Sequence, residues 1–168
     1  MLDRVKIVAS TRNSKNKSEV EFYSKYSVFV LESLKKPLFQ IYLNWIMKRE
    51  EIDKRKIKSV QIRMFPFIKQ NGNALAGRCY TKKGEIFLFP KKRKSCQKIK
   101  QRTDAKGLLK VLQGRARAAL IHEILHIKYK KDERKVKNLT KKYYTHFYKK
   151  NNYNPLVFEK HCKLIFNY

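Results

Sequence analysis

The chain has 168 residues, with 42 Lys plus Arg against 13 Asp plus Glu and a formal net charge of +29. That length fits one domain, spanning 1–168, with a core large enough to stand without disulfides. A content of 42% hydrophobic and 33% charged residues describes a folded chain with a heavily solvated surface, which excludes a membrane-embedded or low-complexity protein.

Cys79, Cys96 and Cys162 are an odd set without CxxC spacing. They suggest neither a disulfide framework nor a zinc ribbon, and so point to a reducing compartment. No apolar run reaches the roughly 18–20 residues needed to cross a bilayer. Charges interrupt the opening Met1-Leu2-Asp3-Arg4-Val5-Lys6-Ile7-Val8, so it lacks a signal-peptide pattern. The chain reads as soluble and cytoplasmic. Its positive excess points first to nucleic acid or another acidic surface, with plain solvation as the alternative.

In chain order, Val5–Val8 reads as a short strand, and residues 1–17 otherwise as a mobile basic opening. From Ser18 the pattern is helical. Ser18 and Glu21 form a capping-box pair, and Phe22, Tyr26, Phe29, Val30 and Leu34 form a stripe. Pro37 ends that helix and opens another, reaching about Glu51, with Leu38, Ile41, Tyr42, Trp45 and Ile46 facing inward. Ile57 to Met64 alternates apolar and polar residues as a half-buried strand does. Ala74–Tyr80 and Glu85–Phe89 flank Thr81-Lys82-Lys83-Gly84, a hairpin signal. The fold class is therefore α+β: N-terminal helices, a short antiparallel sheet of three or four strands, then further helices.

Residues 91–103 carry the densest basic run and read as a basic loop between sheet and helix. Lys91, Lys92, Arg93 and Lys94 are its leading candidates for contact with DNA or RNA phosphates. Thr103 or Asp104 caps the next helix, which is apolar around much of its circumference and reads as the central buried one. Gly114 suggests close packing of that helix on the sheet. A further helix runs from Asp132 to about Lys149 with Val136, Leu139, Tyr143 and Phe147 inward, and the tail at 151–168 packs back on the domain.

The central helix contains Leu120-Ile121-His122-Glu123-Ile124-Leu125-His126-Ile127, an HExxH run. Two histidines four residues apart share one helix face and can reach one metal ion. Glu123, directly after the first, can then accept a proton from a metal-activated water. The motif is short, so its setting matters. It lies on an apolar helix and takes two of the four histidines in the chain. A buried, unpaired Glu123 would be costly, and a metal site would supply its partner. The bland alternative is a pair of ordinary polar contacts at a helix end. For a third ligand, Glu133 ranks first, since Asp132 suits an N-cap role; Asp132 and then His146 follow. His161 and Cys162 are weaker.

Leu120 to Ile127 resembles the active-site helix of the zincin metallopeptidases, and the element order over roughly 18–150 is similar to their small minigluzincin and SprT-like members. Ala74-Leu75-Ala76-Gly77-Arg78-Cys79-Tyr80 with Glu85-Ile86-Phe87-Leu88 looks like their hairpin before the active helix. The resemblance implies Zn2+ bound by His122 and His126, Glu123 as general base, and hydrolysis of protein or peptide substrates. Several relatives place a histidine and an aromatic pair after HExxH, where this chain has Asp132, Glu133 and Val136. The long metzincin signature is absent. Tyr129, Tyr143 and Tyr144 are candidate oxyanion donors. The alternative function is a nucleic-acid-binding zincin-like module with little or no peptidase activity; a pseudo-enzyme with structural zinc is a third.

Overall fold

The computed structural model describes residues 5–8, 16–151 and 155–166. The elements are β1 (Val5–Val8), α1 (Lys17–Lys35), α2 (Pro37–Arg49), a one-turn 3-10 helix (Lys54–Lys56), β2 (Ser59–Arg63), β3 (Gly77–Tyr80), β4 (Glu85–Leu88), α3 (Arg93–Tyr129), α4 (Glu133–Lys150) and α5 (Pro155–Phe166). This is the α+β layout that the periodicities predict. Among the described residues, no helix is long and apolar enough to cross a membrane.

The sheet is mixed, in the order β1-β2-β4-β3. Only the β3–β4 hairpin is antiparallel; β1 pairs parallel to β2, and β2 parallel to β4. The expectation of an antiparallel sheet is corrected by the connections. Between β1 and β2 the chain passes through two helices, and such a crossover is what parallel neighbours require. Hairpin logic applies only where a short turn joins the strands, and that is where it succeeds. Val60, Ile62, Ile86 and Leu88 alternate onto one face and are buried.

α1 begins two residues before the predicted capping box. The Asn16 side chain accepts hydrogen bonds from the amides of Ser18 (3.1 Å) and Glu19 (3.3 Å), while Glu21 pairs with Lys25 at 2.7 Å. Pro37 stands at the start of α2, where its missing amide costs nothing. The buried face of α2 is Phe39, Tyr42, Leu43, Ile46 and Met47; Leu38, Ile41 and Trp45 are exposed instead. This helix is apolar around most of its circumference, so periodicity does not select a face. Packing does, through contacts such as Phe39 and Tyr42 on Phe147 of α4.

The basic run at 91–103 is helical from Arg93 rather than a loop. Cys96 and Ile99, three residues apart, supply its buried stripe, and Lys94, Lys98, Lys100 and Arg102 are exposed. Asp104 then interrupts α3 with φ 73°, and its carboxylate accepts the Gly107 amide at 2.7 Å, capping the second helical half as predicted. Every residue from 114 to 121 is buried, so this half is the core helix. Two of them are arginines. Arg115 donates to the carbonyls of Phe89 (2.7 Å) and Leu75 (3.1 Å), tying the strand region to α3. Arg117 donates to the Ser33 carbonyl at 3.2 Å and lies over the rings of Phe39 and Phe147. Gly114 serves helices, not the sheet: a Cβ there would lie 2.2 Å from the Tyr144 hydroxyl and 2.5 Å from Ile165 Cδ1. The tail packs back as expected, with α5 against α3 and Ile165 in the core. Of the mobile opening predicted at 1–17, residues 1–4 and 9–15 lie outside the described residues.

Candidate metal centre

The HExxH run occupies the last two turns of α3, which ends at Tyr129. Lys130 takes φ 48° and its amide donates to the His126 carbonyl, closing the helix. Two residues later Asp132 accepts the Lys135 amide at 3.0 Å and starts α4. A helix stop and a helix start so close together make a tight turn, and Glu133, the first residue of α4, is brought back over the histidines. His122 Nε2 lies 3.5 Å from Glu133 Oε1, His126 Nε2 lies 3.2 Å from Glu133 Oε2, and the two Nε2 atoms are 3.1 Å apart.

The donor set could hold a metal ion, and its spacing can be compared with that of a zinc site. Ligand atoms about 2.1 Å from a tetrahedral centre are roughly 3.4 Å from one another, and the three separations above cluster about that value. One donor atom from each of His122, His126 and Glu133 lies within 4.8 Å of the others. The far ring nitrogens set which atoms face the centre. His126 Nδ1 donates to the Lys130 carbonyl at 2.5 Å. Thr140 donates its own hydroxyl hydrogen to the Val136 carbonyl at 2.8 Å, so its oxygen is left to accept from His122 Nδ1 at 3.4 Å. Both histidines therefore keep their proton on Nδ1 and turn the Nε2 lone pair toward Glu133, the arrangement metal-ligating imidazoles adopt. Burial first, and the neighbouring His126 second, push the His122 pKa down to about 4, which keeps the ring neutral and able to coordinate.

Glu123 lies beside this group and is 6% exposed. Burial chiefly, and the Glu133 charge next, push its pKa up to about 8, while a hydrogen bond from the Cys79 amide and the charges of Arg78 and Lys69 act the other way. β3 makes room for it. A Cβ at Gly77 would lie 2.7 Å from Glu123 Cγ and 2.8 Å from its Oε1, so only glycine fits this side of the strand without displacing the carboxylate. The cleft above measures about 860 Å³ and runs from β3 and the residues just before it, Ala74 to Cys79, to the α3–α4 turn.

His122, Glu123, His126 and Glu133 thus come together. The other third-ligand candidates do not join them. Asp132 is engaged as the N-cap of α4, and His146 stacks on Tyr42 and Trp45, with centroids 6.0 and 5.5 Å away. His161 is buried on α5. The tyrosine candidates for an oxyanion donor are occupied elsewhere: Tyr129 and Tyr143 donate to Glu50, and Tyr144 packs against Phe158 and Phe166. Cys79 lines the cleft, but burial, followed by the Glu123 charge, pushes its thiol up to about 12, so it is not a ready nucleophile. Burial likewise holds Cys96 and Cys162 up at about 11.

Sequence reasoning misses Thr140, the Lys130 carbonyl, Gly77 and the Cys79 amide. Thr140 is the one with a readable signal, as a short hydroxyl side chain four residues after Val136 on the buried face of α4. Backbone groups carry no such signal. No family model, curated protein or solved structure matches the chain.

Proposed function

We propose that this chain is a zinc-dependent metallopeptidase, with His122, His126 and Glu133 holding the metal and Glu123 as general base. One observation carries the reading. Two imidazole Nε2 atoms and a carboxylate converge beside a second, buried carboxylate, in a cleft open along the outer strand of the sheet. When bound, zinc would supply Lewis acidity, lowering the pKa of a water in its open position toward about 7 and polarising a substrate carbonyl.

The chain's own part is positioning and proton transfer. Thr140 and the Lys130 carbonyl hold the imidazoles by their Nδ1 hydrogens. Glu133, anchored at the capped start of α4, adds the charged ligand. Glu123 takes the proton from the attacking water and passes it to the leaving amine. The Cys79 amide and the close approach of Gly77 fix its carboxylate in place. β3 ends the sheet order, so an extended substrate can add to its outer edge as a further strand.

The test is paired. Zinc content by mass spectrometry should be one per chain in the wild type, retained in Glu123→Gln and lost in His122→Ala. Cleavage of an unfolded test protein should disappear in both variants, and unchanged cleavage in either would overturn the assignment.

A second reading rests on the outward face of the first half of α3, where Lys94, Lys98 and Arg102 are exposed at four-residue spacing. It takes DNA or RNA phosphates, with affinity that falls steeply with salt and survives Glu123→Gln. Of the residues first proposed for this contact, Lys92 donates to the Gly72 carbonyl and Arg93 to the Ser18 hydroxyl at 3.0 Å, which directs the contact toward Lys94 and beyond.

A further inference from the structure

The cleft has two banks, and both are basic. On the strand side stand Lys69 and Arg78; on the helix side stand Lys130 and Lys131 in the α3–α4 turn and Lys137 one turn into α4. All five are exposed. The lining holds two carboxylates, Glu123 and Glu133, and of the five cations they answer one, Lys137, through Glu133. Glu123 is buried in the floor against Gly77, and Glu133 is turned onto His122 and His126. Among the described residues, the one ion pair these five cations make is Lys137 with Glu133, at 3.4 Å. Arg78 is held without a carboxylate: its guanidinium lies over the Phe67 ring at 4.8 Å, and its Nη1 donates to the Tyr80 hydroxyl at 3.4 Å.

Resting on the peptidase reading above, we propose that the cleft selects acidic polypeptide, with Lys69 and Arg78 on one bank and Lys130 and Lys131 on the other receiving Asp and Glu side chains that flank the scissile bond. The physical case is one of position rather than of total charge. A concave cleft between low-dielectric walls focuses the field of its lining charges, so cations there act on a bound chain more strongly than the same charges on a convex face. A peptide lying extended along the β3 edge points successive side chains alternately to opposite sides. The two basic banks meet both sets. A basic peptide would meet like charge on each side, which is discrimination by repulsion as well as by attraction. Polypeptide is favoured over nucleic acid because β3, the terminal strand of the sheet, offers backbone groups for pairing beside the candidate metal group, whereas among the described residues the cleft lining contains no Phe, Tyr or Trp ring on which a base could stack.

The experiment uses two synthetic peptides with one shared uncharged scissile core, flanked on both sides by Glu in one and by Lys in the other. Their binding to the zinc-loaded Glu123→Gln full-length protein is followed by fluorescence anisotropy, and their cleavage by the wild type is followed in parallel. The acidic peptide should bind about tenfold more tightly at low salt, with the gap closing as salt rises. The double reversal Lys69→Glu with Lys131→Glu should abolish that gap, while Lys141→Glu with Lys142→Glu, on the exposed face of α4, should leave it. Equal binding of the two peptides, or equal loss of preference in both double variants, would overturn the proposal, the latter by showing that overall charge suffices. A short single-stranded oligonucleotide that bound through Lys69 and Lys131 more tightly than the acidic peptide would also overturn it. If neither peptide is cut by the wild type yet the acidic one binds with the predicted dependence, the hydrolytic reading fails and the selectivity stands.

Discussion

Two buried glutamates lie near the end of α3, and their surroundings differ. Glu50, which caps the C-terminus of α2, receives the hydroxyls of Tyr129 (2.5 Å) and Tyr143, and Lys128 donates to its carbonyl at 2.7 Å. Burial works against its charge, but the two tyrosine hydrogen bonds and Lys128 outweigh it and hold the carboxyl below its ordinary value. Glu123 has the Cys79 amide as its donor and is more deeply enclosed, and its pKa rises instead, chiefly through burial. The first carboxylate has what a structural charge needs. The second is kept under-satisfied beside a cleft, which fits the proton-exchanging role proposed for it. Glu50 fastens α2 to the end of α3 that carries the histidines, through Tyr129, and to the second half of α4, through Tyr143.

Substitutions can break this contrast. The largest effect belongs to Glu123→Gln, which should lower kcat by at least about a thousandfold in a peptide-cleavage assay. Its unfolding midpoint in urea should stay level or rise, because a neutral amide is easier to bury. A marked loss of stability would instead make Glu123 a structural residue like Glu50. Glu50→Ala should show the opposite profile. It strands the hydroxyls of buried Tyr143 and half-buried Tyr129 and should cost about 2–3 kcal/mol of unfolding free energy in urea titration. Smaller again is Thr140→Val, which removes the acceptor for His122 Nδ1 and should weaken zinc binding by about tenfold in a chelator competition, with little change in stability.

The smallest effect is the pH dependence of the Glu50 contribution. A carboxyl whose folded pKa is depressed contributes stability that is present above its unfolded value and lost as pH falls through the folded one. The difference in unfolding free energy between the wild type and Glu50→Gln should therefore be full at pH 7 and shrink as pH falls below the ordinary carboxyl value of 4.5. A difference that stays constant across that range would mean the tyrosines bond the protonated and ionised forms equally.

Much of the candidate site is legible in the chain because its signals are local. His122 and His126 share a face by helical arithmetic alone, and the capping role of Asp132 assigns the next residue, Glu133, to the first turn of α4. The hairpin at Thr81–Gly84 and the break at Pro37 follow from single-residue backbone chemistry. Where the sequence is ambiguous, the ambiguity has a physical source. α2 is apolar on too many faces for periodicity to choose between Leu38, Ile41 and Trp45 on one side and Phe39, Leu43 and Met47 on another. The charge of residues 91–103 masks the Cys96–Ile99 stripe that makes them a helix.

What the sequence determines by itself is therefore the α+β class, most of the helices, the hairpin, and the identity and spacing of the two histidines and Glu123. These depend on interactions within a few residues, which the order of side chains encodes directly. Tertiary structure alone decides that β1, β2 and β4 run parallel, that Arg115 and Arg117 are buried, and that Thr140 sits behind His122. It also decides that Gly77 opens the space Glu123 occupies. Each of these brings together groups distant along the chain, and such meetings are set by how whole elements pack rather than by any local pattern.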